Sequence, residues 1–551
     1  MVCIIDGVKL PYEVSPEVGN RTPAMIRHGN LWFLFLIFGL SAALQIVVAR
    51  RSSLSPDEIF SLAMGTGHSL EQPAAVADPR QGDFVEPDHP VPAEDFQRYL
   101  KHDNPPASPV RVVRAVFLSD TNPPAYYLFL YIWTLLLGTS DFALRLFSIA
   151  CSLACLPLLV SIARRTGGKE AVFASCVLFA FSPLAIYYST EGRMYSLLWL
   201  FVLTTTWASL LAQERLRGIA IYALWVLTSA AGFLIHYFFL FPWVGIVAYL
   251  LIKPEKFARL RLAACVLLTA MLILPWYLRI PESLAAWRVT KDWLKLQPRG
   301  FDRLAALREI VLQFFSWRSK LWSDDRISGI ATLVLFGLIA IVMVWRLRSR
   351  AFNSRLLLLW FVFAAGCATP LVFDLVQHTY TTAYSRYAIA ALPAAYLLAA
   401  AGLACMNRSI RIAILILIVL AWMPNLVSLY QSESRALRPI REMSRVASKN
   451  SSSSDVILVH SVPSGVLGIA RYFNGTAGLA SWVGQFGIRH VPQSLQSLIH
   501  GRARIVFVKV HPVGEPAPEE NWLRANASVS KETEFRVGKV VEFQPRHSER
   551  F

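Results

Sequence analysis

The chain has 551 residues, of which 55% are hydrophobic and 16% charged. Soluble domains carry about 25% charged residues, so this chain lacks the polar surface that several soluble domains would need, and its apolar content excludes bulk disorder. The net charge of +18, from 54 Lys and Arg against 36 Asp and Glu, invites a nucleic-acid partner; none is expected, because basic residues in so apolar a chain set membrane topology instead.

Spanning a bilayer takes roughly 17–25 apolar residues. Eleven stretches read as spans, near 31–49, 142–163, 170–187, 194–212, 218–235, 237–252, 260–279, 327–345, 355–374, 386–405 and 409–430. The first lies too late and is too long for a typical signal peptide. Residues 1–30 precede it as a tail with Lys9, Arg21 and Arg27. One set of short loops carries fifteen basic residues (Arg164, Arg165, Lys169, Arg215, Arg217, Lys253, Lys256, Arg259, Arg261, Arg346, Arg348, Arg350, Arg355, Arg408 and Arg411). The alternating short loops hold only Arg193 and Arg386. By the positive-inside rule the first set, and the tail, are cytoplasmic.

Three polar regions then fall on the other side. The first outer loop, 50–141, opens with Ser55-Pro56-Asp57-Glu58, which suits the start of a helix over 57–70 along the membrane surface. Residues 71–110, rich in Pro, Asp and Glu, read as an irregular excursion. Pro123–Gly138 is apolar, short and aromatic; it reads as an interfacial helix, which keeps the loop before it outside. The second outer loop, 280–326, contains Trp287, Trp293, Trp317 and Trp322 with nine basic and six acidic residues, a pattern suited to anionic membrane lipid. The region from 431 to 551 reads as a soluble α/β domain, with strands at Asp455–His460 and Arg504–Val510, helices at 432–449 and 464–473, and a closing hairpin over Glu534–Phe543. The fold class is thus a polytopic α-helical membrane protein of about eleven transmembrane helices with a C-terminal α/β domain. The seven cysteines have no CxxC spacing, so small buried hydrophobes are expected rather than disulfides or a zinc site. No glycine-rich phosphate loop appears.

The chemistry gathers at the outer edge of the bundle. Asp57 and Glu58 follow the first span, Asp120 precedes the aromatic helix, Glu191 and Arg193 share a very short loop, and Arg386 enters a span from outside. Each alone has a bland reading: a helix cap, a local ion pair, a snorkelling arginine. His236 and His378, also at this edge, read singly as interfacial residues. Together they suit transfer of a sugar carried on a polyprenyl phosphate. A phosphate leaves without a general acid, an incoming hydroxyl needs a base that a carboxylate can supply, and the phosphate charge suits an arginine fork.

The motifs resemble the dolichyl-phosphate-mannose protein mannosyltransferase-like branch of the GT-C glycosyltransferases. Asp57-Glu58 follows the first span; Asp120-Thr-Asn-Pro-Pro-Ala-Tyr-Tyr127 resembles a family segment written with Asp, His, Pro, Pro and Tyr-Tyr. Ala143-Leu-Arg145-Leu-Phe-Ser148, Ser182–Tyr195 and Ser385-Arg-Tyr387 before Pro393 follow in family order, over about residues 30–430. The resemblance implies two juxtamembrane helices in the first outer loop, Asp57 as catalytic base, Glu58 beside it in the acceptor or metal environment, and Asp120 as a further acidic site residue. It implies Arg193 and Arg386 as donor-phosphate ligands, with Asn122, Tyr126, Glu191, Tyr195, His378 and Tyr387 lining the site. Asn122 stands where the family often has His. No metal motif appears; a divalent cation, Mg or Mn, is the one cofactor the chemistry would admit. The expected partners are a polyprenyl-phosphate-linked sugar, membrane lipid, and an acceptor glycan, lipid or protein. The reaction expected is inverting transfer on the outer face of a bacterial inner or plasma membrane. A transporter or flippase of lipid-linked glycans is the alternative, and a non-catalytic membrane scaffold a third.

Overall fold

The computed structural model describes residues 28–120, 122–214, 218–253, 259–285, 295–298, 300–316, 326–346, 354–430, 439–510 and 517–546. The tail to residue 27 with Cys3, the tryptophans at 287, 293, 317 and 322, and Arg215, Arg217, Lys256, Arg348 and Arg350 lie outside these residues.

Helix α1 (His28–Arg51) leads through a turn to α2 (Pro56–Gly65). The excursion holds only α3 (Ala93–Gln97) and short 3-10 turns before α4 (Pro109–Ser119), α5 (Ala125–Leu137) and the long α6 (Asp141–Thr166). Then come α7 (Lys169–Phe181), α8 (Pro183–Ser189), α9 (Tyr195–Gln213), α10 (Ile219–Ile235), α11 (Leu240–Ile252), α12 (Arg259–Tyr277), α13 (Ile280–Ala285), α14 (Arg303–Ser316), α15 (Arg326–Arg346), α16 (Ser354–Gln377), α17 (Leu392–Ala404) and α18 (Arg408–Tyr430).

An apolar helix stands at each of the eleven expected places, but the count of eleven spans is not reached by length and composition. Six described segments are long and apolar enough to cross a membrane, or seven if α7 and α8, bent by 60°, count as one. The bend has a local cause: Pro183 cannot continue the helix, and Ser182 starts a new one by accepting the Ala185 N–H at 3.1 Å. The stretches at 237–252 and 386–405 open as 3-10 turns, at Tyr237–Phe239 and at Ser385–Tyr387 and Ile389–Ala391, which shortens the helices that follow. Large apolar side chains such as Phe33 and Phe35 on α1 and Leu267, Leu268 and Met271 on α12 face outward, as lipid-exposed surfaces require. Helix α5, at about 20 Å, is too short for a bilayer core of about 30 Å. It buries Tyr126, Tyr127, Leu130 and Thr134 and exposes Ile132, Leu135 and Leu136.

After α18 the chain forms α19 (Ile440–Ser448), β1 (Val456–His460), α20 (Pro463–Tyr472), β2 (Gly478–Trp482), α21 (Gln493–Ile499), β3 (Ile505–Val510), α22 (Pro518–Asn526), β4 (Ala527–Phe535) and β5 (Gly538–Pro545). The five strands make one sheet in the order β2-β1-β3-β5-β4, parallel through β2, β1 and β3 and antiparallel beyond. Strand β2 and helices α21 and α22 carried no sequence expectation, because β2 (Gly-Leu-Ala-Ser-Trp) is short and weakly apolar.

Alternation along the strands decides how the sheet is seated. Val456 and Leu458 pack with Phe507, Phe543, Leu498 and Leu523 on one face. Ile457, Val459 and Val506 pack on the other, continuous with α19, α20 and the helical bundle. Gly468 permits the join: a Cβ there would meet Ile440 at 3.1 Å and Ile59 of α2 at 3.9 Å. The excursion is fastened to the same sheet. Val91 bridges Leu479 antiparallel, Gln97 Nε2 donates to the Ala470 carbonyl at 2.9 Å, and Phe84 stacks between Phe96 and Phe486.

Candidate active site

Helix α2 begins where its sequence dictates. Ser55 Oγ accepts the Glu58 N–H at 3.3 Å, Glu58 Oε2 accepts the Ser55 N–H at 2.8 Å, and Pro56 fills the first helical position. This capping box turns Glu58 inward and leaves Asp57 in the first turn with its side chain 43% exposed.

Glu58, expected in the acceptor or metal environment, faces the interior. It is fully buried and accepts Arg145 Nε at 2.8 Å, Arg145 Nη2 at 2.9 Å and the Gly192 N–H at 2.8 Å. Arg145, itself fully buried on α6, also donates to the carbonyls of Ala49, Ser52 and Ser53 at 2.7–2.8 Å. A fork with five donors thus closes the turn between α1 and α2 onto α6. The Gly192 bond ties the Arg193 loop to the same carboxylate. No role for Arg145 was read from the sequence; a charged residue inside a span was the available signal.

The remaining charges form an alternating row. Arg386 Nη1 lies 3.3 Å from Asp57 Oδ2. Arg193 Nη1 donates to the Asp57 carbonyl at 3.2 Å and to Ser61 Oγ at 2.9 Å, and its Nη2 lies 3.8 Å from Asp120 Oδ2. Asp120 also accepts the Tyr127 hydroxyl and Asn122 Nδ2, the latter at 2.9 Å. Asn122 thus orients the carboxylate rather than supplying an imidazole's chemistry. Arg193 and Asp120 are mostly buried, Arg386 is half-buried, and Asp57 is the most exposed of the four. Carboxylate and guanidinium alternate, which leaves the row near neutral until an anion arrives.

Aromatic side chains wall this row. Tyr195 meets Tyr188 edge-on with ring centroids 4.8 Å apart, and Tyr387 meets Phe238 at 4.9 Å while accepting Arg386 Nη2 at 3.3 Å. Tyr126 is fully buried against Tyr127 and Phe147. Glu191 is buried in the Arg193 loop. His236 is buried near Tyr195, and its Nδ1 accepts the Phe238 N–H at 3.0 Å, which leaves Nε2 to carry the proton. Ser61, Tyr127 and Tyr188 were missed as partners because their contacts cross between helices.

His378 does not join the row. It is exposed, in the left-handed region at φ 52°, on the turn after α16. That turn is held by Asp374, which accepts from Thr379, Thr381 and Thr382 at 2.6–2.8 Å. Among the described residues no three His, Cys, Asp or Glu side chains form a group suited to a metal ion.

Residues 121–278 match the family model described as dolichyl-phosphate-mannose-protein mannosyltransferase. The whole structure is similar to the crystal structure of ArnT from Cupriavidus metallidurans in the apo state, with TM-score 0.58, 11% identity, and coverage of 93% of this chain and 98% of that one. It is equally similar to ArnT from the same organism bound to undecaprenyl phosphate, at TM-score 0.58 and 13% identity over the same shares. The chain shares the fold of these ArnT structures. The resemblance read from the sequence is borne out at that level. No curated protein matches the sequence. The matched segment carries Tyr126, Tyr127, Arg145, Glu191, Arg193, Tyr195 and His236; Asp120 adjoins it in sequence, while Asp57 and Arg386 are brought to it by the tertiary structure.

Proposed function

We propose that the protein is an integral-membrane glycosyltransferase that moves one monosaccharide from a polyprenyl-phosphate donor to a hydroxyl acceptor. Asp57 is the general base. The observation that carries this reading is the Asp57–Arg386 pair at 3.3 Å, an exposed carboxylate beside a half-buried guanidinium, in the fold that ArnT adopts with undecaprenyl phosphate bound. In a single displacement, the acceptor oxygen bonds to the anomeric carbon and passes its proton to Asp57. The bond from that carbon to the phosphate oxygen breaks, the phosphate keeps the electron pair, and configuration inverts. Arg386 and Arg193 hold the phosphate charge as it develops.

The positive-inside asymmetry supports placing this site, and the region from 431 onward, on the outer face of a bacterial inner or plasma membrane. Transfer of either a hexose or a pentose fits this reading. A divalent cation arriving with the donor would find oxygen ligands in Asp57 and Asp120, in competition with the two arginines. The transporter alternative is not favoured, since the charges gather at one edge and no internal repeat is visible.

The test is mass spectrometry of lipid-linked sugars and glycoconjugates in a deletion strain. Accumulated donor together with an acceptor lacking one sugar is the expected result and identifies both substrates. Unchanged glycoconjugates with altered movement of lipid-linked sugar across the membrane would overturn the reading in favour of transport.

A further inference from the structure

The turn that presents Asp57 is held from two parts of the chain. Arg145 takes its carbonyls, as described above. The Leu54 N–H, three residues before Asp57, donates to the hydroxyl of Tyr472 at 2.7 Å. Leu54 is fully buried, so its amide needs an acceptor within the protein, and that hydroxyl supplies it. The Tyr472 hydroxyl in turn donates to Asp141 Oδ2 at 2.6 Å. Asp141 lies in the first turn of α6, four residues before Arg145, and also accepts Arg471 Nε at 2.7 Å and Arg441 Nη2 at 3.1 Å. Arg471 Nη2 closes the set on the Thr139 carbonyl at 2.7 Å, and the Arg441 guanidinium stands 4.8 Å from the centre of the Tyr472 ring. Arg441, Arg471 and Tyr472 belong to α19 and α20, beyond the last span; the groups they bind, the Leu54 amide, the Asp141 carboxylate and the Thr139 carbonyl, belong to the bundle.

One hydroxyl therefore ties together the turn before Asp57, the start of the helix that carries Arg145, and the helix that follows β1. We propose that Tyr472 is a positioning residue for Asp57, and that the C-terminal sheet region is part of the catalytic unit rather than an appendage to it. This rests on the reading of Asp57 as the base. The capping box makes Ser55–Glu58 rigid, so a shift at Leu54 is passed to the Asp57 carboxylate with little damping. Proton transfer tolerates little of it, because the carboxylate must come within about 2.6–3.2 Å of the acceptor hydroxyl, and a misplacement of about 1 Å is enough to cost a large factor in rate.

Tyr472→Phe keeps the ring beneath Arg441 and removes only the hydroxyl. It is compared with the wild type and with Asp57→Asn as full-length proteins, for sugar transfer in cells by mass spectrometry of glycoconjugates and for binding of undecaprenyl phosphate in nanodiscs. The expected result for Tyr472→Phe is a fall in transfer of about tenfold or more with undecaprenyl phosphate bound as in the wild type. Wild-type transfer by Tyr472→Phe, while Asp57→Asn is inactive, overturns the positioning role alone. Normal transfer by Asp57→Asn overturns the assignment of the base and this proposal with it. Joint loss of transfer and undecaprenyl phosphate binding in Tyr472→Phe also overturns it, because that marks collapse of the site rather than displacement of one carboxylate.

Discussion

Arg386 is ion-paired with Asp57 at 3.3 Å, so the group proposed to hold the donor phosphate and the group proposed to take the acceptor's proton are each other's partners. Under the proposed function, a donor phosphate would compete for that guanidinium and free the carboxylate for the acceptor, which would favour donor binding before acceptor.

Replacing the base tests the chemistry directly. Asp57→Asn keeps the shape of the side chain and removes its basicity. Sugar transfer is expected to fall by about 10²–10⁴-fold, with membrane insertion and expression unchanged. Mass spectrometry of glycoconjugates reads the result, and transfer at the wild-type level rules out Asp57 as the base.

The arginine is tested through binding. A charge-assisted hydrogen bond contributes about 1.5–3 kcal/mol, so Arg386→Ala is expected to weaken undecaprenyl phosphate binding by roughly ten- to a hundredfold. Arg386→Lys keeps the charge but not the planar fork and should fall between the two. Titration in nanodiscs measures all three proteins; equal affinities would remove Arg386 from the phosphate site.

Glu58 and Arg145 call for a stability experiment. Removing one partner of a buried pair costs about 3–5 kcal/mol, so Glu58→Gln should lower the unfolding temperature in detergent. Replacing both partners by leucine often restores stability in a plain buried ion pair. Here it should not, because Arg145 serves three carbonyls and Glu58 serves the Ser55 and Gly192 amides. A double variant as stable as the wild type would show that these backbone contacts carry no weight.

The docking of the excursion should respond to pH through Glu86. Burial pushes its carboxyl up to about 7, against the pull of Arg489 Nε at 3.5 Å and the Val483 N–H at 2.9 Å. Its ordinary value is 4.5, so the folded chain holds this proton more tightly than the unfolded chain. That stability is complete below about 4.5 and is lost as pH rises through about 7. His68, which burial holds down to about 4, slopes the opposite way at lower pH, so the comparison of two proteins isolates Glu86. Glu86→Gln stays neutral throughout. Its thermal stability relative to the wild type should rise between pH 4.5 and 8, by at most about 3 kcal/mol; a constant difference would show that Glu86 is ionised at every pH.

Much of this protein follows from local sequence. Apolar runs place the helices because a bilayer demands an apolar surface, and Ser55-Pro56-Asp57-Glu58 fixes the start of α2 because a capping box involves only neighbours. Val456–His460 and Ile505–Val510 are legible as strands because both their faces are buried. Asp57, Asp120, Arg193 and Arg386 stand out because charge is rare at the edge of such a bundle. What the sequence could not decide is which of these charges face each other. Glu58 and Asp57 are adjacent and chemically alike, yet one is sealed against Arg145 and the other is open, since that choice depends on which side of α2 meets α6. His378, expected at the same edge, stands exposed on a turn folded around Asp374 and takes no part in the row. The longest links, Leu54 to Tyr472 and Glu86 to Arg489, join segments about four hundred residues apart. The packing of α20 along α2 brings the first pair within reach and the seating of the excursion on β2 the second, because directional bonds between distant segments exist only after the apolar faces between them have met.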